Sequence, residues 1–208
     1  VDPLSICAGV MIKYPMAGQK SHQVTVGIFD VQTGKHIYVK TAGPDEHYLT
    51  NISWSPDEKY VLIAELNRGQ NDMCLNLYDA NSGTFVKTLL NEISDKWVEP
   101  EHDAFFPSEK SNNFVWHSEK DGFQNLYYYT IDGKLIKQLT SNKFVTRDIL
   151  GANPTGTEIY FKSTGPNPTN MLVYKVDLKG KQTLMIFFLK QRANLKALKK
   201  AFRLLLRK

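Results

Sequence analysis

Cys74-Leu-Asn-Leu-Tyr-Asp-Ala-Asn-Ser-Gly83-Thr-Phe-Val-Lys-Thr88 is a run of strand-forming residues, a turn carrying Asp and Gly, and a second run. Glycine supplies the positive φ that tight turns need and Asp bonds back to its own backbone, so the stretch predicts a β-hairpin. The same pattern stands around Gly34 (Val24 to Lys40), Gly133 (Asn125 to Leu139) and Gly180 (Met171 to Leu184). These four glycines fall 49, 50 and 47 residues apart. A period near fifty residues marks one supersecondary unit copied along the chain.

A second motif precedes three of the hairpins. Ile52-Ser-Trp-Ser-Pro56-Asp-Glu-Lys-Tyr60-Val-Leu-Ile63 reads as strand, turn and strand, and is repeated around Pro107 (Ala104 to Trp116) and Pro154 (Leu150 to Phe161). Two hairpins per repeat make four antiparallel strands, which is one propeller blade. Runs such as Tyr60-Val-Leu-Ile-Ala64 are apolar without alternation, the pattern of strands buried on both faces. A sandwich or a pair of small barrels also yields short strands with turns, but neither explains the fixed order of the two motifs. The expectation is an all-β partial β-propeller of about three and a half four-stranded blades: a partial blade at 13–41, then blades at 48–90, 102–140 and 145–184.

The ends break the pattern. Residues 1–12 are atypical; the apolar stretch Leu4 to Ile12 is short and has no basic leader, so it does not read as a signal peptide. Residues 185–208 hold eight basic residues and no acid, with Leu195, Leu198, Phe202, Leu205 and Leu206 at helical spacing. They predict a C-terminal basic amphipathic helix, too charged to span a bilayer. Membrane contact is the weaker reading of this tail, and a non-native end or a cover for a sheet edge the stronger. Without it the chain carries 18 basic and 21 acidic residues, so the overall charge of +5 does not point to nucleic acid. Cys7 and Cys74 form no ligand spacing, and Cys74 reads as a small buried hydrophobe in a strand.

Several landmarks in order resemble the propeller of the dipeptidyl peptidase IV family and its bacterial, Bacteroides-type members. They are Tyr14-Pro-Met-Ala-Gly18, Tyr48-Leu-Thr-Asn-Ile-Ser-Trp54, Leu66-Asn-Arg68-Gly-Gln-Asn71, Trp97-Val98 and Ser118-Glu-Lys-Asp-Gly122-Phe-Gln-Asn-Leu-Tyr127. The resemblance covers about residues 13–184. It implies a serine peptidase in which the propeller caps an α/β-hydrolase domain, with dipeptides removed from peptide N-termini after proline or alanine. It also implies a periplasmic or secreted parent. The family's catalytic residues belong to the hydrolase domain, and its amine-binding glutamate pair lies on an earlier blade. No Glu-Glu pair occurs here, and those roles are carried over to no residue of this chain.

The residues by themselves agree. There is no Gly-x-Ser-x-Gly elbow, no histidine pairing suited to zinc and no phosphate-binding glycine loop, so no catalytic, metal or cofactor residue is assigned. His22 and His36 read as solvated hairpin positions, Asn51-Ile-Ser53 as a sequon in a packed strand, and Tyr127-Tyr-Tyr129 as core. The segment after Trp97-Val98 is the one candidate: the resemblance places it near the active site, as a substrate-channel rim of Trp97, Glu99, Glu101, His102 and Phe105. A solvated inter-blade loop is the competing reading for His102 with its two glutamates. The functional expectation is an inactive propeller fragment capping a hydrolase domain; the alternative is a stand-alone propeller that binds proteins or peptides. Three and a half blades cannot close a ring, which predicts self-association through open blade edges.

Overall fold

In a computed structural model, residue 20 and residues 22–41 and 43–185 are described; residues 1–12, Tyr14 with its neighbours, and the tail beyond Met185 with its expected helix lie outside them. The described residues are all strands and turns in four antiparallel sheets. The first pairs β1 (Gly27–Phe29) with β2 (His36–Tyr38). The second runs in order through β3 (Tyr48–Trp54), β4 (Tyr60–Leu66), β5 (Asp72–Asp79) and β6 (Phe85–Ile93). The third holds β7 (Phe114–Ser118), β8 (Asn125–Tyr129) and β9 (Leu135–Gln138). The fourth is β10 (Thr146–Ala152), β11 (Glu158–Ser163), β12 (Leu172–Asp177) and β13 (Gln182–Leu184).

Sequential meanders of this kind are propeller blades, and the fifty-residue period is the blade. The third sheet departs from four strands. Its first strand shrinks to a single bridge, Phe105 to Val115, because the residues before Phe105 are drawn to the turn after β4, where the Val98 N–H bonds the Gln70 carbonyl, and Pro100 among them has no N–H to give a ladder.

The turns follow the repeat. Asp79 Oδ1 accepts the backbone N–H groups of Asn81 and Ser82 at 3.0 and 2.8 Å, Asp30 accepts those of Gln32 and Thr33, and Asp177 those of Lys179 and Lys181. In the third copy Thr130 Oγ1 takes this role toward Lys134 N–H at 3.1 Å. Each repeat glycine has positive φ. From the second copy onward it also lands on the last strand of the preceding sheet. A Cβ on Gly83 would stand 2.5 Å from the Tyr38 carbonyl oxygen, and one on Gly133 2.3 Å from that of Leu89. Gly180 sits over Gln138 and Leu139, while Gly34 faces open space.

Alternation along the middle strands sorts side chains into successive inter-blade cores. On β4, Val61 and Ile63 pack with Val39, Tyr78 and Ala80 between the first two sheets. Leu62 and Ala64 turn the other way, to Met73, Leu75, Phe114, Trp116 and Tyr127 between the second and third. Val115, Leu126 and Tyr128 meet Ile159, Phe161, Tyr174 and Val176 between the third and fourth. Buried faces on both sides explain the unbroken apolar runs. Tyr127, Tyr128 and Tyr129 are all core, and His22 and His36 are exposed.

Cys74 is half-buried rather than buried, its Sγ facing Asn91 Nδ2 at 3.1 Å. It lies in the cross-strand row Glu65–Cys74–Asn91, beyond the part of that face covered by the short β1–β2 hairpin. The sequon is packed: Ser53 is buried and its Oγ accepts the Ala104 N–H at 3.0 Å.

Candidate functional site

The connection from β6 to the third sheet, residues 94–103, is held at both ends. At its start the Ser94 N–H donates to the Asn71 carbonyl at 3.0 Å and the Val98 N–H to the Gln70 carbonyl at 2.7 Å. Those carbonyls belong to a tight turn whose conformation is set by Asn67. Its Oδ1 accepts the N–H groups of Asn71 and Asp72, and its Nδ2 donates to Asn71 Oδ1 at 2.8 Å. Gln70 adopts φ 54°, a left-handed conformation that few side chains tolerate, and Arg68 stacks over the Tyr48 ring at 5.3 Å. At its far end the connection is fixed by the Ala104 to Ser53 bond and the Phe105–Val115 bridge.

The segment Val98–Pro100 thereby forms a ridge between two clefts. One, of about 600 Å³, is walled by Tyr48, Thr50, Leu66 and Gln70. The other, of about 690 Å³, opens between residues 91–100 and the β7–β8 turn with His117, Glu119 and Gln124. Glu99 lines both.

The sequence-nominated residues divide. Trp97 is 61% exposed at the mouth of the larger cleft, and Glu99 stands on the ridge. Glu101 is exposed; it accepts Gln124 Nε2 at 3.4 Å and lies 3.9 Å from His102 Nε2. His102 is half-buried, its ring 4.1 Å from that of His117, which is more constrained than a solvated loop position. Phe105 is absent from both cleft walls and packs beneath them against the core between the third and fourth sheets.

The electrostatics are acidic. Burial, then the neighbouring Glu101 and Glu99, push the Glu119 carboxyl above the usual range. Burial raises Glu92 as well, opposed by a hydrogen bond from Ser118 and by the Lys120 charge. His117 is driven down to about 3 by burial and then by His102. Sequence reading had no purchase on His117, Glu119 and Gln124. His117 interrupts an apolar strand, but what buries it is the next blade, where its Nε2 meets the Arg147 carbonyl at 2.9 Å. Among the described residues no cluster of His, Cys, Asp and Glu is arranged to hold a metal ion.

Against known proteins, residues 9–194 match the family profile of the dipeptidyl peptidase IV (DPP IV) N-terminal region. A protein named probable dipeptidyl-aminopeptidase B from Coccidioides posadasii is 30% identical over 183 residues, covering 81% of this chain and 20% of that protein. A solved structure assigned as a dipeptidyl aminopeptidase IV from Bacteroides ovatus superposes with a TM-score of 0.73 at 34% identity, over 82% of this chain and 27% of the other. Porphyromonas gingivalis dipeptidyl peptidase 4 gives 0.73 at 25% identity, over 83% and 24%. TolB from Acinetobacter baumannii, at 20% identity and a TM-score of 0.54, shares the fold alone. The chain thus spans about a fifth of the curated relative and about a quarter of the two peptidase structures.

Proposed function

The chain belongs to the family of dipeptidyl peptidase IV N-terminal regions, and from that premise we propose that it forms part of the propeller covering the catalytic domain of a dipeptidyl peptidase IV-like serine peptidase. The observation that carries this is the coupling of two family-like segments. The 67–71 turn holds the Trp97–Val98 segment through the Gln70 carbonyl, so residues alike in sequence act as one unit in space. In this reading Trp97, Glu99, Glu101 and His102 form a rim that incoming peptide passes, and Phe105 sets its height from below. The nucleophile, acid and histidine come from an α/β-hydrolase domain, and the parent works in the periplasm or outside the cell. The 208-residue chain is itself inactive. On the β1–β2 hairpin, Phe29, Val31 and Tyr38 are 61%, 85% and 60% exposed, which supports self-association of the chain through its blade faces.

The test is to read and express the complete gene. A coding region that continues into a Gly-x-Ser-x-Gly elbow, with a full-length product that cleaves an Ala-Pro chromogenic substrate and a 208-residue chain that does not, is the expected result. A gene that ends at residue 208, or turnover by the chain alone, overturns the proposal.

A further inference from the structure

Tyr160 is buried on a face of the fourth sheet where no described sheet packs. On β11, Ile159 and Phe161 point into the core between the third and fourth sheets, and Tyr160 between them points to the opposite side. Its cross-strand neighbours there are Gly151, which has no side chain, and Lys175, whose Nζ is drawn to Glu158 Oε1 at 2.6 Å. None of the apolar cores among the described residues includes Tyr160. Yet it is only 7% exposed. Tyr38 holds the matching place at the other end of the array, opposite Gly27 on the outer face of the first sheet, and is 60% exposed. The side chains of Lys175 and Glu158, beside Tyr160, are likewise only 33% and 32% exposed.

The outer face of the fourth sheet is therefore covered, and the chain beyond Met185 is what the sequence places beside it. β13 is an edge strand of this sheet, and the Met185 N–H still bonds the Val173 carbonyl at 2.8 Å, so the tail departs from that edge. Residues 186–194 can reach about 30 Å, twice the ~15 Å width of four strands. Residues 195–206 then carry the apolar stripe of Leu195, Leu198, Phe202, Leu205 and Leu206. A helix of that length is about 18 Å long, close to the ~20 Å of a strand such as β11. The charges fit as well. On the face, Lys162 and Lys175 are already paired with Asp148 and Glu158 at 3.0 and 2.6 Å, and Asp177 is a further acid, while the stripe is flanked by Lys196, Lys199, Lys200 and Arg203.

We infer that residues 195–206 dock across the outer face of the fourth sheet, with the apolar stripe over Tyr160 and Val173 and the basic residues toward Asp148, Glu158 and Asp177. An end blade presents surface that otherwise recruits another sheet. The tail closes the array at this end and leaves the face of Phe29 and Tyr38 open at the other. The assignment concerns this chain and does not depend on the peptidase reading.

The experiment is hydroxyl-radical footprinting of the 208-residue chain at low and high concentration, read residue by residue by mass spectrometry. Tyr38 at low concentration is the exposed reference and Tyr127 the buried one. Tyr160 is expected to be modified several-fold more slowly than Tyr38, and equally slowly at both concentrations. The full-length variant with Leu198→Asp, Phe202→Asp and Leu205→Asp leaves every sheet residue unchanged and sets three acids against an acidic face. In it Tyr160 should react several-fold faster than in the parent while Tyr127 stays protected. A parent Tyr160 as reactive as Tyr38, or one equally protected in parent and variant, overturns the assignment. Protection that is lost on dilution overturns it too, because a second copy is then the cover. None of these outcomes bears on whether the complete gene product is a peptidase.

Discussion

His117 is a buried imidazole whose pKa lies at about 3 in the fold against 6.5 when free, with burial the main cause and His102 the second. Between those values the unfolded chain binds a proton that the native chain does not, so stability falls as pH drops below about 6.5, at up to ~1.4 kcal/mol per pH unit. Glu92, raised by burial, acts in the opposite sense: its native form holds a proton above the ordinary carboxylate range, so its share of stability is lost as pH rises through its folded pKa. The His117 effect is isolated by comparing urea midpoints of the parent and His117→Gln at pH 7, 6 and 5. Whatever the variant costs at pH 7, the gap between the two should narrow as pH falls; a constant or widening gap contradicts the assignment of a buried neutral ring. Nothing near His117 in sequence announces this. Its carbonyl partner is thirty residues away on the next blade, and one chain read linearly cannot show which blade face a strand residue meets.

At the scale of elements the reading from sequence was strong, for a physical reason. A hairpin is local, and its Asp, its glycine and its flanking β-formers sit within about fifteen residues, so the four Gly hairpins were legible from Gly34 to Gly180. What was not legible is their second role as contacts between blades, and that yields a paired prediction. Gly34→Ala meets only the backbone cost of a left-handed residue, about 1–2 kcal/mol. Gly133→Ala meets the same cost and also drives a methyl into the Leu89 carbonyl, so its loss should be larger, roughly 2–4 kcal/mol by denaturant unfolding. Equal losses would remove the glycine from the interface. The middle strands give a second test. Leu62 and Ile63 are adjacent on β4 yet belong to different cores, so Leu62→Ala and Ile63→Ala should each cost about 2–4 kcal/mol. In a sheet with one wet face, one of the pair would be nearly neutral. The shortened first strand of the third sheet is not legible because the Ala104–Trp116 motif matches its siblings in apolar pattern and in its proline, while the residues before Phe105 are held by a bond from Val98 to the distant Gln70 carbonyl.

Among the described residues, each apolar core joins a sheet only to its neighbour in sequence, from the first pair through to the third and fourth. Stability in such an array is a sum of sheet terms and nearest-neighbour terms, and an injury at one interface spreads no further than its coupling. Phe161 is fully buried at the interface of the third and fourth sheets, stacked on Tyr174 at 5.7 Å. Phe161→Ala removes about 3–5 kcal/mol there. Native-state hydrogen exchange should then show amides of β11 and β12 opening first, those of β7 and β8 next, and those of β4 and β5 close to their parent rates. The inter-sheet bonds set the order: His117 to Arg147 couples the third sheet to the fourth, and Ala104 to Ser53 couples it to the second. Uniform acceleration across all four sheets would mean that the blades unfold as one unit. Among the described residues the Val98–Pro100 ridge is anchored in the second and third sheets alone, so in the nearest-neighbour case its amides keep their protection while the fourth sheet opens, and the acidic cleft persists.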